Sequence, residues 1–145
     1  MKALSNVYTM DANVIVRFLT RDDEALWKKA SAIIKAMHDG AIELLCDPVT
    51  LAEIVFVLGS IYRIPRKQIH QLMNPVVKAR GFIIPNKDVY VRAMELYGDC
   101  VPHFGDACAC AVALKSTGGR LLSLDKKLSA VAGVQRTEEV AQADD

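Results

Sequence analysis

Four carboxylates draw attention by where they fall in the chain. Asp11 ends the short apolar run at residues 7–10. Glu53 lies within Leu51-Ala52-Glu53-Ile54-Val55-Phe56-Val57-Leu58. Asp106 opens an Ala- and Cys-rich segment that reaches Leu114, and Asp125 closes Leu121-Leu122-Ser123-Leu124. A carboxylate in an apolar segment has to be paired, hydrogen-bonded, protonated or held on a metal ion. No Arg or Lys stands three or four positions from Glu53 to pair with it along a helix. The other three acids each have a local alternative: Asp11 and Asp106 as helix N-caps, and Asp125 as the cap of the turn Lys126-Lys127-Leu128. Asp47, directly before Pro48, reads as an ordinary turn and helix start.

Gathered in one place, four carboxylates repel, and some stay protonated unless a cation neutralises them. Hard oxygen ligands suit Mg²⁺ or Mn²⁺, which retain waters and also hold phosphate oxygens. Two such ions about 4 Å apart stabilise both the attacking and the leaving oxygen of an in-line displacement at phosphorus. The chemistry expected from the residues is therefore metal-assisted hydrolysis of a phosphodiester or phosphate. The chain holds no Walker A loop and no GxGxxG segment. Its cysteines, Cys46, Cys100, Cys108 and Cys110, form no CxxC pair, and no His lies at zinc-ligand spacing from them. Cys46, Cys108 and Cys110 sit in apolar runs and read as small buried residues, which suggests a reducing compartment, the cytoplasm. His38 and His70 are expected on helix surfaces, and His103 lies close to Asp106 in sequence.

The elements that must position these acids alternate. Strands are expected at 7–10, 42–46, 82–84 and 121–124, with a short edge strand at 134–136. Helices are expected at 13–19, from a cap at Asp22 or Asp23 to 38, at 50–61, at 65–79 with a kink at Pro75, at 87–97 and at 106–115. The 50–61 segment is apolar nearly all round and is expected to be buried. This alternation specifies an α/β fold, a three-layer α/β/α sandwich around a central parallel sheet of four to five strands. In such folds ligands sit at the carboxyl ends of the strands. Asp11 and Asp125 follow strands, and Glu53 falls in the first turn of the helix after the second strand, so these three converge on one edge. Asp106 precedes its strand, so this argument does not place it.

The bounds of the chain agree. Its 145 residues suit one domain with a real core, and 52% hydrophobic content is too high for disorder. No apolar run approaches the roughly 20 residues of a membrane span. The first residues carry one base and meet Asp11 too soon for a secretory signal. Lys and Arg number 18 against 17 acids, a net charge of +1. The chain divides into a domain at 1–136 and an acidic tail at 137–145, which holds Glu138, Glu139, Asp144 and Asp145 and no base. Without the tail, 18 bases face 13 acids, +5; with the four candidate acids neutralised as well, 18 face 9, +9. An acidic site within a basic body is a charge layout suited to metal-assisted chemistry on a phosphodiester or phosphate.

The same acids carry a family resemblance. Met10-Asp11-Ala12-Asn13-Val14-Ile15-Val16-Arg17-Phe18-Leu19-Thr20, Val49-Thr50-Leu51-Ala52-Glu53-Ile54, Phe104-Gly105-Asp106-Ala107 and Leu122-Ser123-Leu124-Asp125-Lys126-Lys127-Leu128 look like the four motifs of a PIN-domain ribonuclease. Their order and spacing resemble the bacterial VapC toxins of toxin–antitoxin pairs, and the resemblance spans about 7–136. It implies that Asp11, Glu53, Asp106 and Asp125 are the catalytic and metal-holding residues, so that Asp106 joins the cluster, with Asn13 and Ser123 as supporting polar positions. It implies RNA as substrate, Mg²⁺ or Mn²⁺ as cofactor, attack by a metal-activated water, a homodimer, and silencing by a cognate antitoxin. Residues 62–80 resemble the region that clasps the antitoxin and forms the dimer. Cys108 and Cys110 depart from the family's usual Ala, Ile or Leu there. Arg17, Arg21, Lys126 and Lys127 flank the acids and are the candidates for holding RNA, with a second basic cluster at 62–67. Two rivals stand beside this reading. One is a catalytically silent PIN-like scaffold that binds RNA or protein. The other is a different metal-dependent phosphatase; a haloacid-dehalogenase-like one would need Asp-x-Asp where this chain has Asp11-Ala12-Asn13.

Overall fold

A computed structural model describes residues 6–140; the last five residues of the acidic tail lie outside them. The chain runs β1 (Val7–Thr9), α1 (Ala12–Thr20), α2 (Glu24–His38), β2 (Glu43–Leu45), α3 (Pro48–Ser60), α4 (Arg66–Lys78), β3 (Phe82–Ile83), α5 (Lys87–Asp99), α6 (Phe104–Ser116), β4 (Arg120–Leu122), a 3₁₀ turn (Lys126–Ala130) and β5 (Gln135–Thr137). Short acids start the early helices by accepting orphan backbone N–H groups. Asp11 takes Asn13 N at 3.1 Å, Asp23 takes Leu26 N at 3.0 Å, and Asp47 takes Val49 N at 3.2 Å. Asp47 is thus the helix-start residue its Asp-Pro context predicts. The helix α4 runs unbroken through Pro75 to Lys78, where a kink was expected.

Every strand pair is parallel. β2 lies between β1 and β3, with Val7 opposite Glu43 and Leu44 opposite Phe82, and β4 pairs with β5, with Leu121 opposite Arg136. The three-layer α/β architecture is the expected one. The sheet differs from expectation: its strands form two hydrogen-bonded groups in place of one continuous ladder. The backbone bonds of β4 are committed to the β5 side, through Gln135 N to Gly119 O at 2.7 Å and Ser123 N to Thr137 O at 3.1 Å. The Arg136 guanidinium then donates to the Ser123 carbonyl at 2.8 Å. Tyr8 on β1 and Leu122 on β4 are correspondingly exposed, at 54% and 65%. Gly119 makes the β4 approach possible. Its φ is +85°, and a Cβ there would collide with the Gly133 carbonyl.

One core joins both groups. Ile15, Ile34, Leu51, Leu58, Met73 and Phe82 are fully buried, and Leu128, Val131 and Val134 dock the C-terminal unit into the same cluster. α3 buries one face only, through Leu51, Ile54, Val55 and Leu58. Val49 and Phe56 stand in solvent, so the expectation of a helix buried all round is corrected. An all-apolar helix at the surface of a two-sided fold meets the core along one stripe, and its remaining residues have nothing to cover them. Cys46 and Cys110 are buried, Cys108 is half-buried and Cys100 exposed, all as free thiols. Burial pushes the Cys46 thiol up to about 12 and the Cys108 thiol up to about 11, so both are neutral packing groups. No helix among the described residues is long and apolar enough to cross a membrane.

Candidate active site

Asp106 is the third residue of α6, half-buried. The N-cap position belongs to His103, so the cap alternative for Asp106 falls away. Asp125 follows β4 and caps the 3₁₀ turn, its Oδ1 accepting Lys127 N at 3.0 Å, while Ser123 Oγ accepts Asp125 N at 3.0 Å. These two acids line one cavity of about 90 Å³, together with His103, Lys127 and the apolar Val101 and Leu128. The loop before α6 thus brings Asp106 to Asp125, which strand order alone could not establish.

The other two acids stand apart from this cavity. Asp11 caps α1 and lines a second cavity of about 220 Å³ with Asn13, Arg17 and Lys29 over an apolar floor that includes Val14 and Ile33. Glu53 is exposed on α3. It is the sixth residue of that helix, because α3 starts at Pro48, and so it misses the first turn where it was expected. Its neighbours Ala52 and Phe56 line a third cavity of about 420 Å³ whose opposite wall is His103, Phe104 and Gly105. Among the described residues no group of three or more His, Cys, Asp or Glu is placed to hold a metal ion. The structure brings Asp106 to Asp125, and Asp11 to Asn13 and Arg17; it does not gather all four acids.

Burial does not set the four acids apart. No polar or charged residue among those described is buried, so none of the four carboxylates carries a full desolvation penalty. Glu53 escapes it because α3 turns that position to solvent. Asp22, Glu24, Asp39, Asp88, Glu95 and Glu138 each hold an ion pair. The four candidates are among the acids without an ion pair in the described residues, as are Asp23, Asp47, Asp99 and Glu139. Asp11 and Asp125 each spend one oxygen on a backbone cap and keep the other. Mg²⁺ is commonly held by one or two carboxylates and several waters. Two unpaired carboxylates facing one cavity fit that donor chemistry.

The basic candidates divide. Lys127 shares the Asp106–Asp125 cavity, and Lys126 beside it is exposed. Arg17 lines the Asp11 cavity and donates to Asp22 at 3.1 Å. Arg21 is committed elsewhere: it grips Glu24 with two hydrogen bonds, at 2.8 and 3.2 Å, and its guanidinium lies 3.7 Å over the Trp27 ring. His38 is exposed as expected. His70 is half-buried where a surface position was expected: its ring fills the space that a Cβ on Gly98 would need, and its Nε2 is buried without a partner among the described residues. Residues that sequence reasoning missed are Asp22 and Tyr62, joined by a hydrogen bond of 2.7 Å from the phenol to the carboxylate. Asp22 resembled a mere helix-start acid, and no local signal links it to a residue forty positions on.

A family model of the PIN domain matches residues 8–134, and the chain belongs to that family. No curated protein and no solved structure matches the chain. PIN domains are typically nucleases that act on RNA, and they generally use divalent metal ions.

Proposed function

We propose that this chain is a metal-dependent endoribonuclease that hydrolyses RNA phosphodiester bonds, and that it is the VapC-type toxin of a type II toxin–antitoxin pair, a cytoplasmic homodimer with its nuclease domain at 1–136 and an acidic tail at 137–145. One observation carries the reading. Asp106 and Asp125, from separate segments, line one cavity, and neither holds an ion pair among the described residues. In a PIN-family chain this is where hard-oxygen ligands belong.

Asp106 and Asp125 would hold the ion, with Asp11 and Glu53 as the remaining carboxylates of the acidic set. Bound there, Mg²⁺ or Mn²⁺ supplies a water of lowered pKa and a countercharge for the scissile phosphate. The protein does the rest. Ser123 fixes the turn that aims Asp125, and Asn13 shares the cavity of Asp11. Lys127 and Lys126 offer positive charge to the RNA backbone beside Asp125, and Arg17 does so beside Asp11. The exposed Val49, Phe56 and Ile61 give α3 and its end an apolar surface that suits a second copy or an antitoxin.

The test incubates the purified chain, free of antitoxin, with single-stranded and structured RNAs. Mg²⁺ or Mn²⁺ is supplied and then removed with EDTA, alongside Asp106→Asn. Cleavage that needs the metal and vanishes in the variant is expected. Cleavage that survives EDTA, or full activity in Asp106→Asn, refutes the mechanism. A silent scaffold is the second reading, favoured by the dispersal of the four acids. It predicts RNA or protein binding with no cleavage under any of these conditions.

A further inference from the structure

Arg17, in the last turn of α1, lines the cavity that also holds Asp11, Asn13 and Lys29. Its Nη1 donates to Asp22 Oδ1 at 3.1 Å. Asp22 is itself held from two further directions. Tyr62, in the loop after α3, donates its phenol proton to Oδ2 at 2.7 Å. Thr20 Oγ1 lies 3.2 Å from Oδ1, although its shorter bond, 2.7 Å, goes to the Val16 carbonyl. The phenol, followed by Arg17 and Thr20, holds the Asp22 carboxyl below the usual carboxylate range, so it stays charged.

Stability does not account for this arrangement. The side chains of Arg17 and Asp22 are 33% and 39% exposed, and exposed pairs of this kind contribute about 0–1 kcal/mol. Orientation accounts for it better. A guanidinium has five N–H donors in a rigid fork, and here Nη1 is held by a carboxylate that also accepts from Tyr62 and Thr20. The remaining donors have no partner among the described residues and belong to a side chain that lines the cavity. A fixed fork beside an acidic position is suited to one phosphate oxygen pair of a polyanion.

We propose that Asp22 and Tyr62 are positioning residues that hold Arg17 as a phosphate clamp for RNA beside Asp11. This rests on the RNA reading above, and the experiment separates the two. RNA affinity is measured by fluorescence anisotropy of a labelled single-stranded RNA with Mg²⁺ present. An Asp106→Asn background prevents turnover. Into it go Tyr62→Phe, Arg17→Ala and the pair together. Tyr62→Phe removes one hydrogen bond and no charge, and is expected to weaken binding about threefold or more. Arg17→Ala is expected to weaken it about tenfold, and the double variant no further, because Tyr62 acts through Arg17. A merely structural tyrosine would weaken binding equally in both backgrounds. Asp22→Asn separates orientation from charge: weaker binding is expected, although removing a negative charge alone would strengthen it. Unchanged affinity in Tyr62→Phe, additive losses in the double variant, or tighter binding in Asp22→Asn would overturn the proposal while leaving metal-dependent cleavage by the unaltered chain intact. Absence of RNA binding by both the Asp106→Asn chain and the unaltered chain would overturn both.

Discussion

Asp11 and Asp125 each have two possible roles, and one pair of substitutions separates them. Both acids cap a helical element through one oxygen, Asp11 to Asn13 N at 3.1 Å and Asp125 to Lys127 N at 3.0 Å. Alanine removes the acceptor, which costs about 1 kcal/mol at an N-cap, or about 4 °C in melting temperature for a chain of this size. Asparagine keeps an acceptor oxygen in the same place and caps as well as aspartate. It gives up only the attraction between the carboxylate and the helix N-terminus, about 0.3–1 kcal/mol at an exposed site. Asp11→Asn and Asp125→Asn should therefore melt within about 4 °C of the parent. As caps alone, they should also cleave RNA normally. As metal ligands, they should lose activity by more than the roughly 10- to 100-fold that even groups supporting a ligand cost when removed. Melting by scanning fluorimetry and cleavage of a fluorogenic RNA, run on the same preparations, give both numbers. Asparagine variants that keep both stability and activity, beside alanine variants that lose the two in proportion, would refute the catalytic assignment.

Three further outcomes follow from the packing. Of the four cysteines, only exposed Cys100 should react quickly with a thiol reagent near neutral pH, because burial raises the other three thiols; the remainder should react only after denaturation, and a second fast thiol would contradict the packing. Gly119→Ala should cost on the order of 2 kcal/mol or more, read as a lower melting temperature, because it forces a left-handed backbone on alanine and drives its Cβ into the Gly133 carbonyl. The Asp22 carboxyl is depressed in the folded chain, first by the Tyr62 hydroxyl. Its contribution is therefore present above the ordinary carboxylate range and is lost as pH falls through the folded value. The melting temperature of the parent should drop more than that of Asp22→Asn between about pH 5 and about pH 3; parallel curves would show that the network is not coupled to folding.

The elements were legible in the sequence because each carries a local signal. Asp23 and Asp47 mark helix starts, Gly40 follows the end of α2, and period-two or continuous apolar runs mark the strands. Most boundaries move by only a residue or two. Contacts without a local signal were not legible. Tyr62 reaches Asp22 across forty positions, and His70 packs on Gly98 between two helices whose crossing no periodicity specifies. The acids occupy an intermediate place. Sequence reasoning singled out the right residue types in the right segments, but it chose them by a burial cost that the structure does not impose. Glu53 shows why: an apolar stretch of sequence implies an apolar environment only if every face of its helix is covered, and α3 covers one.

The placement of the acids follows the connectivity of the chain. Asp11 follows β1 and Asp125 follows β4, strands of different hydrogen-bonded ladders. Asp106 reaches Asp125 because α6 leads directly into β4 and packs on it, so the two acids travel as one unit. Asp11 travels with β1 and α1, where Asn13 and Arg17 accompany it. The described residues thus hold two cavities with different linings: one with Asp106 and Asp125, and one with Asp11, Asn13, Arg17 and Lys29 over an apolar floor. Each is assembled by local connectivity, and the proposed reaction requires both to act on one stretch of RNA. That requirement explains the charge balance better than the total of +1 does. Among the described residues the acids without ion partners include all four candidates, whereas Arg17 is paired with Asp22.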